Sequence, residues 1–173
     1  INTVDAGDLV ETITLTVAGL QNGSDEILVV DGTSVALTDT NSVSTGANSY
    51  DVNVSVSSGT ATVTITRSGN YTAALAQTLI DGLTYQNDSQ DPQGASRTVT
   101  LTYIKDDGGT INGGDDDTVL SVVSTVTVSA VNDDPVINSS ATASVAENQT
   151  ATLTVTSTDV DGGTPSYSIT GGA

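Results

Sequence analysis

The sequence predicts an all-β protein, an antiparallel β-sandwich with one short crossover helix. The 173-residue chain contains 30 Thr and 22 Val, whose branched side chains fit a pleated sheet. Apolar and polar residues alternate with period two in several runs, and Gly-containing turns separate these runs. Each predicted strand therefore has one face that packs and one that meets water, which is typical of antiparallel sheets.

The strand predictions follow the alternation along the chain. In the run 11–18, Ile13, Leu15 and Val17 share one face, and Thr residues occupy the other. The same pattern predicts strands at 60–67, 97–104 and 150–156, and weaker patterns predict strands near 26–31, 50–57, 120–131, 141–146 and 165–170.

One stretch departs from the period-two pattern. Residues 72–83 carry Ala and Leu at helical spacing and predict a helix of one to three turns that crosses between sheets. The dipeptides Asp31-Gly32 and Ser58-Gly59 are typical of tight turns between strands.

The composition excludes several classes of function. The chain has no His and no Cys, so it has neither a Ser-His-Asp triad nor a thiol nucleophile, nor the usual ligands of zinc, haem or iron–sulfur clusters. Three scattered cations, Arg67, Arg97 and Lys105, do not form the basic stripe that nucleic acids require. No apolar run approaches the roughly 20 residues that span a bilayer. No Trp offers a platform for sugars, and no carboxylate is expected to be buried enough to hold a proton, so we do not expect an enzyme.

The charge is strongly negative, with 21 acidic against 3 basic residues and a formal net charge of -18. Such charge repels itself within a fold, and bound cations would relieve the repulsion. The acidic residues collect in turns, namely Asp5 and Asp8; Asp88 and Asp91; Asp106, Asp107 and Asp115, Asp116 and Asp117; Asp133 and Asp134; Asp159 and Asp161. Calcium prefers six to eight oxygens from such groups. Asp and Gly also favour turns without any metal. For the acidic turn at 159–163, which follows the acidic linker at 132–135, we prefer the interpretation that the carboxylates bind a metal ion.

Pro135 marks a boundary between two modules. Residues 1–131 form the first predicted module, 132–135 a calcium-binding linker, and 136–173 the N-terminal strands of a second module. The short linker leaves little room for flexibility, so the modules are expected to lie end to end.

Several motifs together resemble one family. Residues 129–137 contain an N-D-x-P linker, 144–148 a V-x-E-N element, and 157–162 a D-x-D turn. Residues 71–85 resemble a helical crossover, 86–92 a segment rich in Asn and Asp, and 97–107 a strand with an acidic hairpin. In this combination the chain resembles the cadherin-like and immunoglobulin-like tandem repeats of giant bacterial surface adhesins, which are often exported by type I secretion (RTX adhesins).

The resemblance implies calcium sites at both ends of the first module. The linker site would use Asn132, Asp133 and Asp134 with Asp159 and Asp161, and Asn87, Asp88 or Asp91 would reach in from the first module. A second site would use Asp5 and Asp8 with Asp106, Asp107, Asp115, Asp116 and Asp117. Glu147 would serve the far end of the second module. The turn at 4–8 spaces its acids by three rather than two, which departs from the family pattern.

The repeat also predicts how the two modules complement each other. Residues 160–163 match 4–7, so the first module is expected to lack two strands of its repeat, which the second module carries. We therefore expect 141–158 of a neighbour to complete the first module.

The predicted function is a non-catalytic, calcium-rigidified extender of a secreted or cell-surface adhesin, active in adhesion or biofilm. Its partners would be neighbouring repeats or identical subunits, with no nucleic acid and no membrane insertion. Two alternatives stay open: a filament subunit assembling by donor-strand exchange, and a module whose hairpin 105–117 or Tyr-bearing surface binds a glycan or protein.

Overall fold

A computed structural model of the chain describes residues 8–109, 115–142, 144, 146–150, 153–168 and 170–171. The chain divides into two compact units, Ile1–Ser129 and Ala130–Ala173, and each is described by itself. The predicted linker 132–135 falls within the second unit. No helix in the described part of the chain is long and apolar enough to cross a membrane.

Unit 1 is built from nine strands and one helix among its described residues. The strands are β1 (Val10–Ala18), β2 (Glu26–Val30), β3 (Thr33–Ala36), β4 (Ser42–Ser44), β5 (Tyr50–Ser57), β6 (Thr60–Tyr71), β7 (Thr84–Asn87), β8 (Ser96–Asp106) and β9 (Asp117–Thr127). The helix α1 (Ala73–Asp81) joins β6 to β7, and a short 3-10 turn (Gly23–Asp25) precedes β2.

These strands form two antiparallel sheets. The larger has the order β4-β5-β6-β1-β8-β9, and the smaller has the order β3-β2-β7. Buried side chains of both sheets and of α1 belong to one hydrophobic core. The all-β, sandwich-like prediction for this part of the chain is therefore confirmed.

The alternation in the sequence correctly predicted which side chains of these strands form the core. Ile13, Leu15 and Val17 are fully or almost fully buried, as are the alternating residues of β6. Helix α1 also matches its prediction: the Thr72 hydroxyl accepts a hydrogen bond from the Leu75 N–H at 3.3 Å, and Gly82 ends the helix. The burial of Ala76 and Leu79 explains the apolar spacing of 72–83.

The tight turns also follow from the sequence. At Asp31-Gly32 both residues have positive φ, 50° and 73°, and at Ser58-Gly59 the values are 49° and 72°. Two consecutive residues with positive φ define the turn that matches the right-handed twist of a hairpin. These turns set the registers of β2 with β3 and of β5 with β6.

The sequence did not reveal one feature of unit 1. Glu26 is completely buried, and Arg97, one of the three scattered cations, is completely buried beside it. The alternation of apolar and polar residues along the sequence does not reveal this pair, because Glu26 and Arg97 lie 71 residues apart. A buried carboxylate and a buried guanidinium are each costly alone, and pairing makes their burial tolerable.

Unit 2 contains much less regular structure than its sequence predicts. Two-residue strands β10 (Val136–Ile137) and β11 (Ser157–Thr158) pair antiparallel. The strand predictions at 141–146, 150–156 and 165–170 are wrong for the described residues of those runs, none of which lies in a strand. Alternation only specifies a strand when a partner strand and an apolar surface are present to receive it.

Candidate functional site

The linker and the D-x-D turn of unit 2 lie together. The Asp133 N–H donates to the Asp161 carboxylate, across 28 residues of sequence. The Asp161 N–H in turn donates to Asp159 Oδ1 at 3.1 Å, and the Gly162 N–H donates to the Asp159 carbonyl at 3.3 Å. Asp133, Asp159 and Asp161 are half-buried. Three of the predicted linker ligands thus form one connected hydrogen-bonded turn.

The other predicted ligands of unit 2 lie at its surface. Asn132 and Asp134 are exposed, and the Asn132 amide donates to the Asp133 carbonyl at 2.9 Å. Glu147 is exposed in a turn with Asn148, which has a φ of 61°.

Asn87, Asp88 and Asp91 belong to unit 1, at the end of β7 and beyond it. The Asn87 amide donates to Asn22 Oδ1 at 3.1 Å, and its own oxygen accepts the Ser89 N–H at 3.0 Å. Asp88 accepts a hydrogen bond from the Gln86 amide, and Asp91 is exposed. Asn87 is therefore occupied in fixing the loop after β7.

Asp107 anchors the start of β1 to the end of β8. Its carboxylate accepts the Leu9 N–H at 2.8 Å and the Asn70 amide at 3.0 Å, and its own N–H donates to the Leu9 carbonyl at 2.9 Å. The hydrogen bond from the Leu9 N–H, followed by that from Asn70, lowers the pKa of Asp107. This carboxylate therefore stays charged over a wide pH range.

Asp8 and Asp106 both lie close to Gly108. A methyl group placed on Gly108 would lie 2.8 Å from Asp8 Cγ and 3.3 Å from Asp106 Oδ1. The Asp106 N–H donates to the Asp116 carbonyl at 2.9 Å, which brings the far side of the hairpin to the same end. The structure therefore brings Asp8, Asp106 and Asp116 to one end of unit 1.

Acidic side chains lie near Lys105 at the same end. The hydrogen bond to Glu11 raises the pKa of Lys105, and the charges of Glu11 and Asp116 add to this effect. Together they outweigh desolvation, which lowers the pKa of Lys105. Asp115 and Asp117 are exposed; Asp117 begins β9, and Asp115 lies two residues before it. Asp5 lies outside the described residues.

The donor chemistry in each unit is hard oxygen from carboxylates and backbone carbonyls, which suits calcium rather than a soft metal. Two carboxylates supply fewer oxygens than calcium takes, so backbone carbonyls and water would have to complete a site. Within the described ranges, no three His, Cys, Asp or Glu side chains are grouped closely enough to hold a metal ion.

A second feature was not predicted: an apolar groove on the large sheet, called the β9 groove. Its volume is about 270 Å³, and its lining includes Leu83 and Tyr85 on one side with Leu101 and Val122 on the other. The adjacent pair Val122-Val123 was the available signal, since two consecutive Val residues place one apolar side chain on each face of β9. Val122, which pairs with Leu101, is the one on the groove face.

Burial falls steadily toward this groove. The core residues of β1 are buried, Val99 and Leu101 on β8 are half-buried, and Val122 and Val123 on β9 are 62 % and 57 % exposed. The small sheet and α1 therefore cover only part of the large sheet.

Comparisons of the chain with family models, with curated proteins and with solved structures found no match.

Proposed function

We propose that the chain is a non-catalytic extender of a large extracellular adhesin, belonging to cadherin-like tandem repeats and stiffened by calcium at its module ends. The hydrogen-bonded turn of Asp133, Asp159 and Asp161 carries this proposal. A linker backbone and a turn of the same unit are already held together there, with two carboxylates half-buried beside them.

The physical argument is electrostatic. With a net charge of -18, every carboxylate at a module end is repelled by its neighbours. A divalent ion held by Asp159 and Asp161 would cancel this repulsion locally and link the turn to the linker. In unit 1, Asp8 and Asp106 would do the same for the β1 entry and the hairpin.

The affinity expected of such sites fits a role outside the cell. Extracellular calcium modules bind at about 10⁻⁴–10⁻³ M, so the stiffness of the chain would follow the calcium concentration of the medium. In this function the segment supplies length and spacing in adhesion or biofilm.

Thermal unfolding and small-angle scattering test the proposal. In millimolar calcium, compared with chelator, we expect a higher melting temperature and a larger maximum dimension of the particle. Magnesium at equal concentration is the control for ionic screening, because it demands octahedral geometry and keeps its water. The double variant Asp159→Asn/Asp161→Asn should lose most of the calcium response. An identical melting temperature and scattering profile in calcium and in chelator would refute the proposal.

A further inference from the structure

A second cavity of unit 1 lies between α1, the turn that joins β2 to β3, and the start of β5. Its volume is about 230 Å³, and Asp31, Asn48 and Tyr50 line it on the side of the sheets. Its helix side is formed by residues three or four apart, which share one face of α1 and its C-terminal cap: Leu75, Thr78, Leu79 and Gly82. We call this cavity the Asp31 pocket.

Asp31 brings a carboxylate with spare accepting capacity to this pocket. Its Oδ2 accepts the Thr45 hydroxyl at 2.7 Å and the Asn48 N–H at 2.8 Å, and its Oδ1 accepts the Asn48 side-chain amide at 2.7 Å. Burial acts to raise the pKa of Asp31, but these hydrogen bonds and the charge of Arg67 outweigh it, so the pKa lies below its ordinary value. Asp31 is therefore charged at neutral pH, and its Oδ1 can accept one more donor.

Tyr50 brings a hydroxyl group that the protein leaves without a partner. The side chain is 1 % exposed, and among the described residues none forms a hydrogen bond with its hydroxyl. Every fully enclosed side-chain oxygen or nitrogen of the described residues does have a partner, so this hydroxyl is not fully enclosed. The small exposed part of Tyr50 therefore includes the hydroxyl, which opens into the pocket that Tyr50 lines. A buried hydroxyl in this position requires water or a ligand as its partner.

Charges of both signs lie beside the Tyr50 hydroxyl. The Arg67 guanidinium carbon lies 5.9 Å from the centroid of the Tyr50 ring. Burial raises the pKa of Tyr50, and the charges of Arg67 and Asp31 then act on this pKa in opposite directions. An anionic ligand would be repelled by Asp31 and a cationic ligand by Arg67. The pocket is therefore best suited to a neutral ligand.

The hydrogen-bonding groups narrow the class of that ligand. Asp31 accepts hydrogen bonds only, whereas the Tyr50 hydroxyl both donates and accepts. An alcohol group can donate to a carboxylate and can also accept from a phenol, so a ligand with several alcohol groups satisfies both residues. Leu75 and Leu79 offer an apolar wall to its C–H groups. The volume lies below the roughly 300 Å³ at which pockets for drug-sized molecules begin.

From these observations we propose that the Asp31 pocket binds a neutral polyhydroxyl ligand of the size of one sugar residue, which donates to Asp31 Oδ1 and hydrogen-bonds the Tyr50 hydroxyl. The chain would then hold a ligand in addition to supplying length. The inference does not depend on calcium, because Asp31 and Tyr50 belong to neither of the proposed calcium sites.

Backbone amide chemical shifts of the isotope-labelled whole chain, recorded in chelator, test the inference. The probes are glucose, galactose, mannose and N-acetylglucosamine, each added at millimolar concentrations. We expect at least one of them to shift the amides of Gly32, Asn48 and Gly82, which line the pocket, and to reach saturation. Methylammonium and acetate are the charged controls and should leave these amides unshifted. An oligosaccharide that ends in the preferred sugar distinguishes the end of a glycan, which binds equally well, from a free sugar, which alone fits.

Tyr50→Phe tests the role of the hydroxyl, because it removes this group and keeps the ring. The affinity for the sugar should fall about 3- to 10-fold, the effect of one hydrogen bond. The melting temperature without sugar should stay unchanged, because the hydroxyl has no protein partner to lose. Tyr71→Phe is the matched control: its hydroxyl donates to the Ile65 carbonyl at 3.5 Å, and it does not line the pocket, so this variant should bind like the wild type.

Thr78→Tyr tests the location of the site. Thr78 is exposed at the edge of the pocket, and a larger side chain there should fill the cavity and abolish binding. Gln77→Tyr is the control, because Gln77 is also exposed on α1 but does not line the pocket. Circular dichroism verifies that both variants keep the β fold.

Four outcomes would overturn the inference. The absence of saturable shifts with all four sugars would show that the pocket holds water only. Binding of methylammonium or acetate at the same amides, as tight as that of any sugar, would mean that the pocket recognises charge. Equal affinities in the wild type and in Thr78→Tyr would place the ligand elsewhere. An unchanged affinity in Tyr50→Phe would remove the hydroxyl from the site. All of these readouts are made without calcium, so they are independent of the calcium response.

Discussion

Arg97 and Glu26 form a completely buried ion pair that joins the two sheets of unit 1, with Arg97 on β8 and Glu26 on β2. Arg97 Nη2 and Nε each lie 3.0 Å from a different oxygen of the Glu26 carboxylate. The backbone N–H groups of Gln21 and Asn22 donate to the same carboxylate at 2.6 and 2.8 Å. The carboxylate is therefore surrounded by donors on both sides.

The first prediction concerns the free energy of unfolding. Arg97→Met leaves Glu26 buried without its cation, and we expect a loss of about 3–5 kcal/mol in urea unfolding. The double variant Glu26→Gln/Arg97→Met should lose less than the sum of the single losses, because it leaves no unpaired charge. The control is Lys105→Met, which breaks the partly exposed pair with Glu11 and should cost much less. Equal losses at Arg97 and Lys105 would contradict the buried-pair argument.

The second prediction concerns the loss of stability at acidic pH. Burial acts to raise the pKa of Glu26, but the hydrogen bonds from Arg97 and from the Gln21 and Asn22 N–H groups outweigh it, and the pKa falls below its ordinary value of 4.5. The unfolded chain therefore binds the proton at higher pH than the folded chain does. The stabilisation that comes from this difference in pKa is complete above the ordinary pKa of a Glu side chain. It is lost as the pH falls through the lower pKa that Glu26 has in the folded protein.

Urea unfolding measured from pH 7 to pH 3 tests whether the free energy of unfolding falls as Glu26 is protonated. We expect the wild-type free energy of unfolding to fall more steeply with acid than that of Glu26→Gln. The matched control is Asp25→Asn, an exposed carboxylate directly before Glu26. If Glu26→Gln and the wild type have parallel pH profiles, the assignment to Glu26 is wrong.

The third prediction concerns Gly19, at the end of β1. Its φ is 87°, and an added Cβ would lie 2.9 Å from the Ser96 carbonyl oxygen. Gly19→Ala therefore combines backbone strain with a clash against backbone, and we expect a loss of about 2–4 kcal/mol. Gly23 also has a positive φ, 61°, but an added Cβ there meets nothing within 4 Å. Gly23→Ala measures the strain alone and should cost about 1 kcal/mol; an equal cost at both positions would remove the clash from the explanation.

The fourth prediction separates calcium binding from stability. In Gly108→Ala the new methyl group would displace the Asp8 carboxylate, which is the movable end of a side chain. We expect little change in the melting temperature in chelator but a weaker rise on adding calcium, measured by calorimetry. Gly109→Ala is the control for the hairpin itself, because an added Cβ there meets nothing within 4 Å, although its φ of 70° adds strain. An undiminished calcium response in Gly108→Ala would exclude Asp8 as a ligand.

The sequence by itself determined the local features of unit 1. Alternation of β-branched residues fixed which side chains of β1 and β6 face the core, because side chains of a strand point to opposite faces in turn. The dipeptide Asp31-Gly32 specified its turn, because Gly accepts positive φ without cost and Asp tolerates it. The Ala and Leu spacing of 72–83 specified α1. These features depend only on residues that are close in sequence.

The tertiary structure decided the features that depend on distant residues. Whether Glu26 is buried depends on Arg97, and whether Val122 is covered depends on how many strands lie opposite β9. The runs 141–146 and 150–156 have the strand pattern, yet their described residues form no strand, because a strand is stable only when another strand accepts its hydrogen bonds and its apolar face. The local sequence pattern indicates which secondary structure a segment can form, and the residues that pack against the segment in the folded protein determine whether that structure forms.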